Sequence, residues 1–178
     1  MSLALFIRMP CEVDVRGGLL SENERIIFSQ YEPRKDYPLL ELKKENEELK
    51  ELNVVEGVSR IISIGDNCAI AYSCDKNEIY KISFEGNKEQ IIWRTIPNYE
   101  LFNCCMELYN DVMKREVEVF VYCEKNTIIL IDEKDGETKR EFTDRLNSDY
   151  YGRNIVYVEN KRLLVTISQE QIQFTPFP

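Results

Sequence analysis

The sequence predicts an all-β protein built from repeated units of short antiparallel strands. The first observation is a repeat: "YSCDKNEIYKI" from Tyr72 returns as "VYCEKNTIILI" from Val121, with Cys74 and Cys123 separated by 123 − 74 = 49 positions. The second is that short apolar runs alternate with turn residues such as Gly-Asp-Asn and Asp-Gly, which is typical of hairpins. The third is a composition of 43% hydrophobic and 31% charged residues, which is that of a folded globular chain.

Each of the two clear copies of the repeat is predicted to hold four strands joined by tight turns. Asn77 stands at one turn, where Asn tolerates a left-handed backbone, and Asp135-Gly136 stands at another, as a strong hairpin signal. The predicted strands are 59–66, 68–74, 78–84 and 88–94 in one copy, and 99–109, 115–123, 126–133 and 138–142 in the other.

Fainter copies flank these two. Near the C-terminus, "NIVYVE" from Asn154 and "RLLVTISQEQIQF" from Arg162 supply further strands. Near the N-terminus, "CEVDV", "RIIFSQY" and "YPLLELK" fill three strand positions. The chain is therefore expected to be a single repeat-built domain with units at roughly 10–55, 56–97, 98–145 and 150–178, preceded by a strand at 3–9.

One stretch, residues 39–52, admits two interpretations. Its Leu, Glu and Lys residues are strong helix formers, and Leu42, Leu49 and Leu52 fall on one helical face. The repeat instead requires two strands, Leu39–Lys43 and Lys50–Val55. Propensity favours a short helix and the repeat favours a hairpin, so both remain open at this point.

The repeated unit resembles a blade of the WD-repeat-like β-propeller families. The resemblance rests on "NCAIAYSCDKNEIYKISFEGNKEQIIW" and "REVEVFVYCEKNTIILIDEKDGETKREF", spans Val58–Phe142, and includes "IDEKDGE", which is similar to the aspartate-x-x-x-glycine turn of those families. The Trp-Asp dipeptide and the Gly-His pair of a standard WD repeat are missing. The resemblance implies antiparallel four-stranded blades, stacked as a partial, open array of about three to four blades or as a small closed ring. In the closed ring, Leu3–Met9 is expected to act as the missing fourth strand of the final blade. In the open array, the remaining blades would come from another chain or from further residues of the same protein.

Composition argues against several classes of function. A net charge of −9 repels phosphate backbones, so direct binding of nucleic acid is not expected. Six Cys without a Cys-x-x-Cys spacing, and no His, predict neither a structural zinc site nor a secreted disulfide framework. The interpretation is an intracellular protein, cytoplasmic or nuclear, with buried thiols and with no cofactor or metal. No apolar run is long enough to span a membrane.

Two sets of residues are candidates for a functional site. Asp75 and Glu124 occupy equivalent turns of the repeat, where acids of a propeller rim could line a central channel, although solvated turns are the more ordinary explanation. The polar connection "TDRLNSDYYGRN" carries residue types that anchor protein interfaces. The residues predicted to bind a partner are Arg145, Tyr150, Tyr151 and Arg153.

The function predicted from these features is a non-catalytic interaction scaffold, or a subunit of a larger assembly. Its partner would be another protein chain, further blades of the same protein, or a second copy in a homo-oligomer. Two alternatives stay open: a ligand-binding, ion-binding or hydrolytic propeller with a carboxylate-lined channel, and a β-sandwich adaptor whose repeat reflects duplicated hairpins.

Overall fold

The computed structural model describes residues 15–20, 25–30, 37–43, 48–65, 67–86, 88–99, 101, 106–111, 116–123, 127–143, 154–158, 161–167 and 172–176. Regular structure in these ranges consists of β-strands and includes no α-helix. The strands are β1 (Val15–Leu20), β2 (Ile26–Gln30), β3 (Leu39–Lys43), β4 (Glu48–Leu52), β5 (Arg60–Ser63), β6 (Cys68–Ser73), β7 (Glu78–Ser83), β8 (Gln90–Thr95), β9 (Met106–Asp111), β10 (Glu116–Cys123), β11 (Thr127–Asp132), β12 (Thr138–Thr143), β13 (Asn154–Val158), β14 (Leu163–Ile167) and β15 (Ile172–Pro176).

The strands form four antiparallel sheets, each made of strands that are consecutive in the chain. Sheet 1 is β1-β2-β3-β4, sheet 2 is β5-β6-β7-β8, sheet 3 is β9-β10-β11-β12 and sheet 4 is β13-β14-β15. Sheet 4 has three described strands where the others have four. The predicted strand Leu3–Met9, which would complete it, lies outside the described residues and stays a prediction.

Adjacent sheets pack face to face, because both faces of the inner strands are apolar. One cluster joins sheet 1 to sheet 2, a second joins sheet 2 to sheet 3, and a third joins sheet 3 to sheet 4. Their buried members include Ile27, Leu39, Ile61 and Ile82 in the first, Ile70, Ile79, Val119 and Ile131 in the second, and Phe120, Ile128, Leu130 and Leu164 in the third. Each sheet therefore shields its neighbour from water, as expected for stacked repeats.

The sequence repeat corresponds to structural equivalence in the third strand of each unit. Adding 49 to the bounds of β7, 78 and 83, gives 127 and 132, which are the bounds of β11. Ile79 and Ile128 both face the following sheet, whereas Ile82 and Ile131 both face the preceding one. A register irregularity against the fourth strand also recurs at equivalent places, in β7 between Lys81 and Ile82 and in β11 between Leu130 and Ile131.

The two Cys of the repeat are offset by one position in the fold. Ser73 pairs with Glu78 at the end of the β6–β7 hairpin, so four residues, 74–77, connect those strands. Cys123 pairs with Thr127, so three residues, 124–126, connect β10 and β11. Cys123 is thus the counterpart of Ser73, while Cys74 begins the turn. The sequence match aligned two connections whose lengths differ by one residue.

The helix considered for residues 39–52 is wrong. This stretch forms the hairpin of β3 and β4, in which Leu39 pairs with Leu52 and Leu42 pairs with Leu49. Leu39 packs toward sheet 2 and Leu40 packs on the opposite face of sheet 1. A strand buries both faces of the sheet in this way, and that burial overrides the helical propensity of Glu and Lys. The strand Leu39–Lys43 was predicted with its observed bounds, whereas its partner is Glu48–Leu52 and not Lys50–Val55.

Candidate protein-interaction surface

The four residues predicted to bind a partner cannot be placed. Arg145, Tyr150, Tyr151 and Arg153 lie in the connection between β12 and β13, outside the described residues. Their role as partner-binding residues therefore stays a prediction.

Only one residue of the predicted carboxylate pair, Asp75, lies within the described residues. Asp75 is exposed in the turn between β6 and β7, and Glu124 lies outside the described residues. Two other acids do meet: Glu118 and Asp132 are buried and directly opposite each other on β10 and β11. Lys139 of β12 lies against both, with its Nζ 2.5 Å from Asp132 and 3.9 Å from Glu118. In the described part of the chain, no group of three or more Cys, Asp or Glu side chains is arranged to hold a metal ion.

Asp132 also organises the turn between β11 and β12. Its carboxylate accepts a hydrogen bond from the backbone N–H of Lys134, and its carbonyl accepts one from Gly136, each at 2.9 Å. Burial opposes ionisation of this carboxyl group, but the Lys134 amide and the Lys139 ammonium outweigh that effect and lower its pKa. This buried acid is therefore a structural anion at neutral pH, tied to its own sheet.

This same turn, between β11 and β12, is held against sheet 2. The Trp93 indole N–H donates to the carbonyl of Glu133 at 2.9 Å, and Lys81 makes an ion pair with the Glu133 carboxylate. Gly136 adopts φ 77°, and a Cβ there would lie 2.7 Å from Trp93 Cε3. The turn fits under the indole ring only because Gly has no side chain and tolerates a left-handed backbone.

An equivalent contact joins sheet 1 to sheet 2. Arg25, which is buried beside the start of β2, binds Glu41 of β3 through Nε at 2.7 Å and also pairs with Glu89. Its Nη1 donates to the carbonyl of Gly86 at 3.3 Å, in the turn between β7 and β8. Burial works against the charge of Arg25, but its bonds to Glu41 and Glu89 prevail and raise its pKa. In sheets 2 and 3 alike, the turn after the third strand is thus held by hydrogen bonds and ion pairs from the preceding sheet.

The connection from sheet 2 to sheet 3 is held by Asn77. This residue has the left-handed backbone predicted for it, with φ 54°. Its side-chain amide donates to the carbonyl of Pro97 at 3.4 Å, and its Oδ1 accepts from the N–H of Leu101 at 2.7 Å. These polar side chains serve the stacking of sheets.

The two ends of the stack differ in how well they are covered. On sheet 1, the face directed away from sheet 2 carries Phe28, Leu40 and Leu42, and all three are buried. On sheet 4, one face packs on sheet 3 through Leu164 and Tyr157, whose ring centroid lies 5.9 Å from that of Phe120. The opposite face of sheet 4 is the uncovered one.

This uncovered face, called here the sheet 4 face, is apolar. Val156, Val165 and Phe174 are paired in register across β13, β14 and β15, and Ile172 lies two residues from Phe174 on the same side. Val156 is 41% exposed, Ile172 is 59% exposed and Phe174 is 63% exposed, whereas Val165 on the central strand β14 is buried. Exposed large apolar side chains gathered on one sheet face are uncommon in a folded protein, so this face is a candidate interaction surface. The likeness of "RLLVTISQEQIQF" to the repeat predicted this strand, but the exposure of its side chains depends on which sheet lies beside it.

Comparisons with known proteins concern the fold. No protein-family model matches the chain. No curated protein sequence matches it either. Across the described ranges, no helix has the length and the apolar character needed to cross a bilayer.

Solved structures do resemble it. The computationally designed Ika4 protein matches over 100% of both chains, with a TM-score of 0.60 and 9% identity. The WD40 β-propeller domain of Doa1 matches 89% of this chain with a TM-score of 0.58 and 15% identity, and BamB from Moraxella catarrhalis matches 93% with a TM-score of 0.56 and 13% identity. The chain covers 48% of the Doa1 chain and 47% of the BamB chain, so it spans about half of their length.

The fold predicted from the repeat is confirmed. Four consecutive antiparallel sheets stack in chain order, and the structural matches include a WD40 β-propeller domain. The sheet 4 face leaves the stack open at one end. The chain therefore has a β-propeller-like fold, made of blades in an open array.

Proposed function

We propose that this protein is a non-catalytic, intracellular interaction module, which joins another protein chain through the sheet 4 face. The observation that carries the proposal is the exposure of Val156, Ile172 and Phe174 on a face whose counterparts in sheets 2 and 3 are buried by a following sheet. Exposure of an apolar sheet face to water is unfavourable in free energy, and a docked partner removes this cost by burying the face.

The architecture indicates the kind of partner that fits. In the described residues, the faces of adjacent sheets pack together through apolar clusters, so the complement of the sheet 4 face is another β-sheet with an apolar face. The match to about half of the Doa1 and BamB chains supports a role as one part of a larger stack. The partner is then further blades, supplied by another chain or by a second copy of this one.

The test is a double variant, Ile172→Lys with Phe174→Lys. Burial of an apolar side chain of this size contributes about 1–2 kcal/mol, so the double variant should weaken binding by roughly 30- to 1,000-fold. Tagged wild-type protein is first used to isolate a partner that binds with fixed stoichiometry. The affinity of this partner for the wild type and for the double variant is then measured by calorimetry. Light scattering of the pure protein identifies the case in which the partner is a second copy.

Thr138→Lys with Asn53→Lys is the matched control, because it adds the same two charges at exposed positions away from the sheet 4 face. We expect the control to bind like the wild type. The proposal fails if no stoichiometric complex forms, or if the double variant binds its partner as tightly as the control does.

A further inference from the structure

The outer strands of the three four-stranded sheets differ in chemistry. In the described residues each of these strands, β4, β8 and β12, pairs on one side only. Two are charged: β4 exposes Glu48, Lys50 and Glu51, and β12 exposes Thr138, Lys139, Arg140 and Glu141. Charged edges discourage the addition of a foreign strand.

Strand β8 occupies the same place in sheet 2 and is apolar. Ile91 is 38% exposed, Ile92 is 48% exposed and Ile96, just after the strand, is 63% exposed. The register irregularity leaves Ile92 out of the ladder, and pairing continues from Trp93 to Thr95. The segment Trp93–Thr95 is therefore a regular edge with backbone groups directed away from β7, and the exposed apolar side chains of Ile91, Ile92 and Ile96 flank it.

The chemistry of this edge defines its occupant. Backbone N–H and C=O groups along an edge are satisfied by an extended chain, which places alternate side chains on each face. The exposed side chains between residues 88 and 96 include the cations Lys88 and Arg94 and no exposed carboxylate, because Glu89 is engaged by Arg25. Arg94 has one nitrogen, Nη1, 3.4 Å from the carboxylate of the largely buried Glu78, and its own side chain is still 59% exposed. In a chain with 32 acids and 23 bases, this is a locally positive strip.

We propose that the outer edge of β8 binds an extended segment of a partner protein as an added strand. The segment has apolar residues at alternating positions and at least one carboxylate that meets Arg94 or Lys88. A second copy of this chain is the less suitable occupant, because two β8 edges would bring these cations together and each chain carries a net charge of −9. This edge is separate from the sheet 4 face, so the proposal stands or falls independently of the proposed function.

The test uses a display library of random twelve-residue peptides, selected on the purified full chain. Trp93 is the only Trp of the protein and lies in β8, so its fluorescence reports binding of the selected peptides directly. We expect enriched peptides to alternate apolar residues and to carry Asp or Glu. Ile96→Lys should weaken their binding at least tenfold, and Arg94→Glu should do so only for peptides with an acid. Thr138→Lys on β12 should leave binding unchanged.

Strand addition is then tested through the peptide backbone. Methylation of every second amide nitrogen removes the N–H donors along one edge of the extended peptide only. Two forms are made, with either the odd or the even amides methylated. The form methylated on the edge that faces β8 should lose binding, and the other form should keep it. The proposal is overturned if the library yields no binder, if both forms bind equally, or if Ile96→Lys has no effect. It is also overturned if the protein dimerises through this edge, which would appear as a concentration-dependent mass that Ile96→Lys abolishes.

Discussion

Individual residues at the turns determine how closely adjacent sheets can pack. Asn77 and Gly136 both have a left-handed backbone, with φ values of 54° and 77°. Asn77 uses its side chain to hold the connection to sheet 3. Gly136 is needed because a side chain at this position would overlap the Trp93 ring. The turn chemistry that was readable in the sequence thus serves contacts between sheets as well as the hairpins themselves.

Gly136→Ala is predicted to destabilise the fold by about 2–4 kcal/mol, because a left-handed Ala is strained and its Cβ would overlap the indole ring. The free energy of unfolding, measured with urea, checks this expectation. Gly86→Ala is the matched control: Gly86 also has a positive φ, 61°, but no atom lies within 4 Å of an added Cβ. Equal losses in the two variants would show that the contact with Trp93 has no energetic role.

At the scale of the element, hairpins couple sheets 2 and 3 to the sheets that precede them. The β11–β12 turn is tied internally by Asp132 and externally by Trp93 and Lys81, while the β7–β8 turn is held by Arg25. Buried charges in these contacts are paired, as their desolvation requires. The hairpin is consequently the element in which the stability of the stack should respond to pH.

Asp132→Asn is predicted to remove a pH-dependent part of the stability. The pKa of Asp132 is lowered in the fold, so its stabilising effect is present above its ordinary pKa of 3.8 and is lost as pH falls through the lower folded value. The difference in unfolding free energy between wild type and variant should therefore be largest near neutral pH and shrink in the acid range. Urea titrations at several pH values measure it, with Lys139→Gln as a variant expected to reduce the same difference. A difference that is constant with pH would contradict the assignment.

At the scale of the whole molecule, the stack is asymmetric. The outward cluster of sheet 1 is buried, whereas the sheet 4 face is exposed. In a repeat array each sheet is stabilised chiefly by its neighbours, so sheet 4 receives support from one described side only. The two faces of sheet 4 should therefore contribute very differently to the stability of the isolated chain.

Leu164→Ala and Phe174→Ala compare the two faces of sheet 4 directly. Leu164 is buried against sheet 3, so its truncation should cost about 2–5 kcal/mol, whereas the exposed Phe174 should cost less than about 1 kcal/mol. Chemical denaturation of the isolated chain supplies both values. Similar losses would mean that another part of the same chain covers the sheet 4 face in solution, and would weaken the proposed docking role.

Much of the fold could be predicted from local pattern, and the candidate interaction surfaces could not. The strand β7 and its copy β11 were predicted within one residue of their bounds, because a buried third strand is apolar on both faces and is bracketed by turn residues. Residues 39–52 stayed ambiguous because Glu and Lys favour a helix when no neighbouring strand is considered. The exposure of Ile172 and Ile96 could not be predicted, since an apolar residue in a strand looks the same whether or not a neighbour covers it.

The amino-acid sequence by itself determined the repeating strands, most of their turns and the all-β class, since these depend on alternation, on β-branched content and on Asn and Gly at sharp bends. The tertiary structure alone decided the register of β10, the hairpin at residues 39–52, the paired charges between sheets and the two uncovered apolar surfaces. The physical reason is that these features depend on contacts between residues distant in the chain. Whether an apolar side chain is buried in the core or exposed as a docking surface depends on whether another sheet covers it. The local sequence does not show whether such a sheet is present.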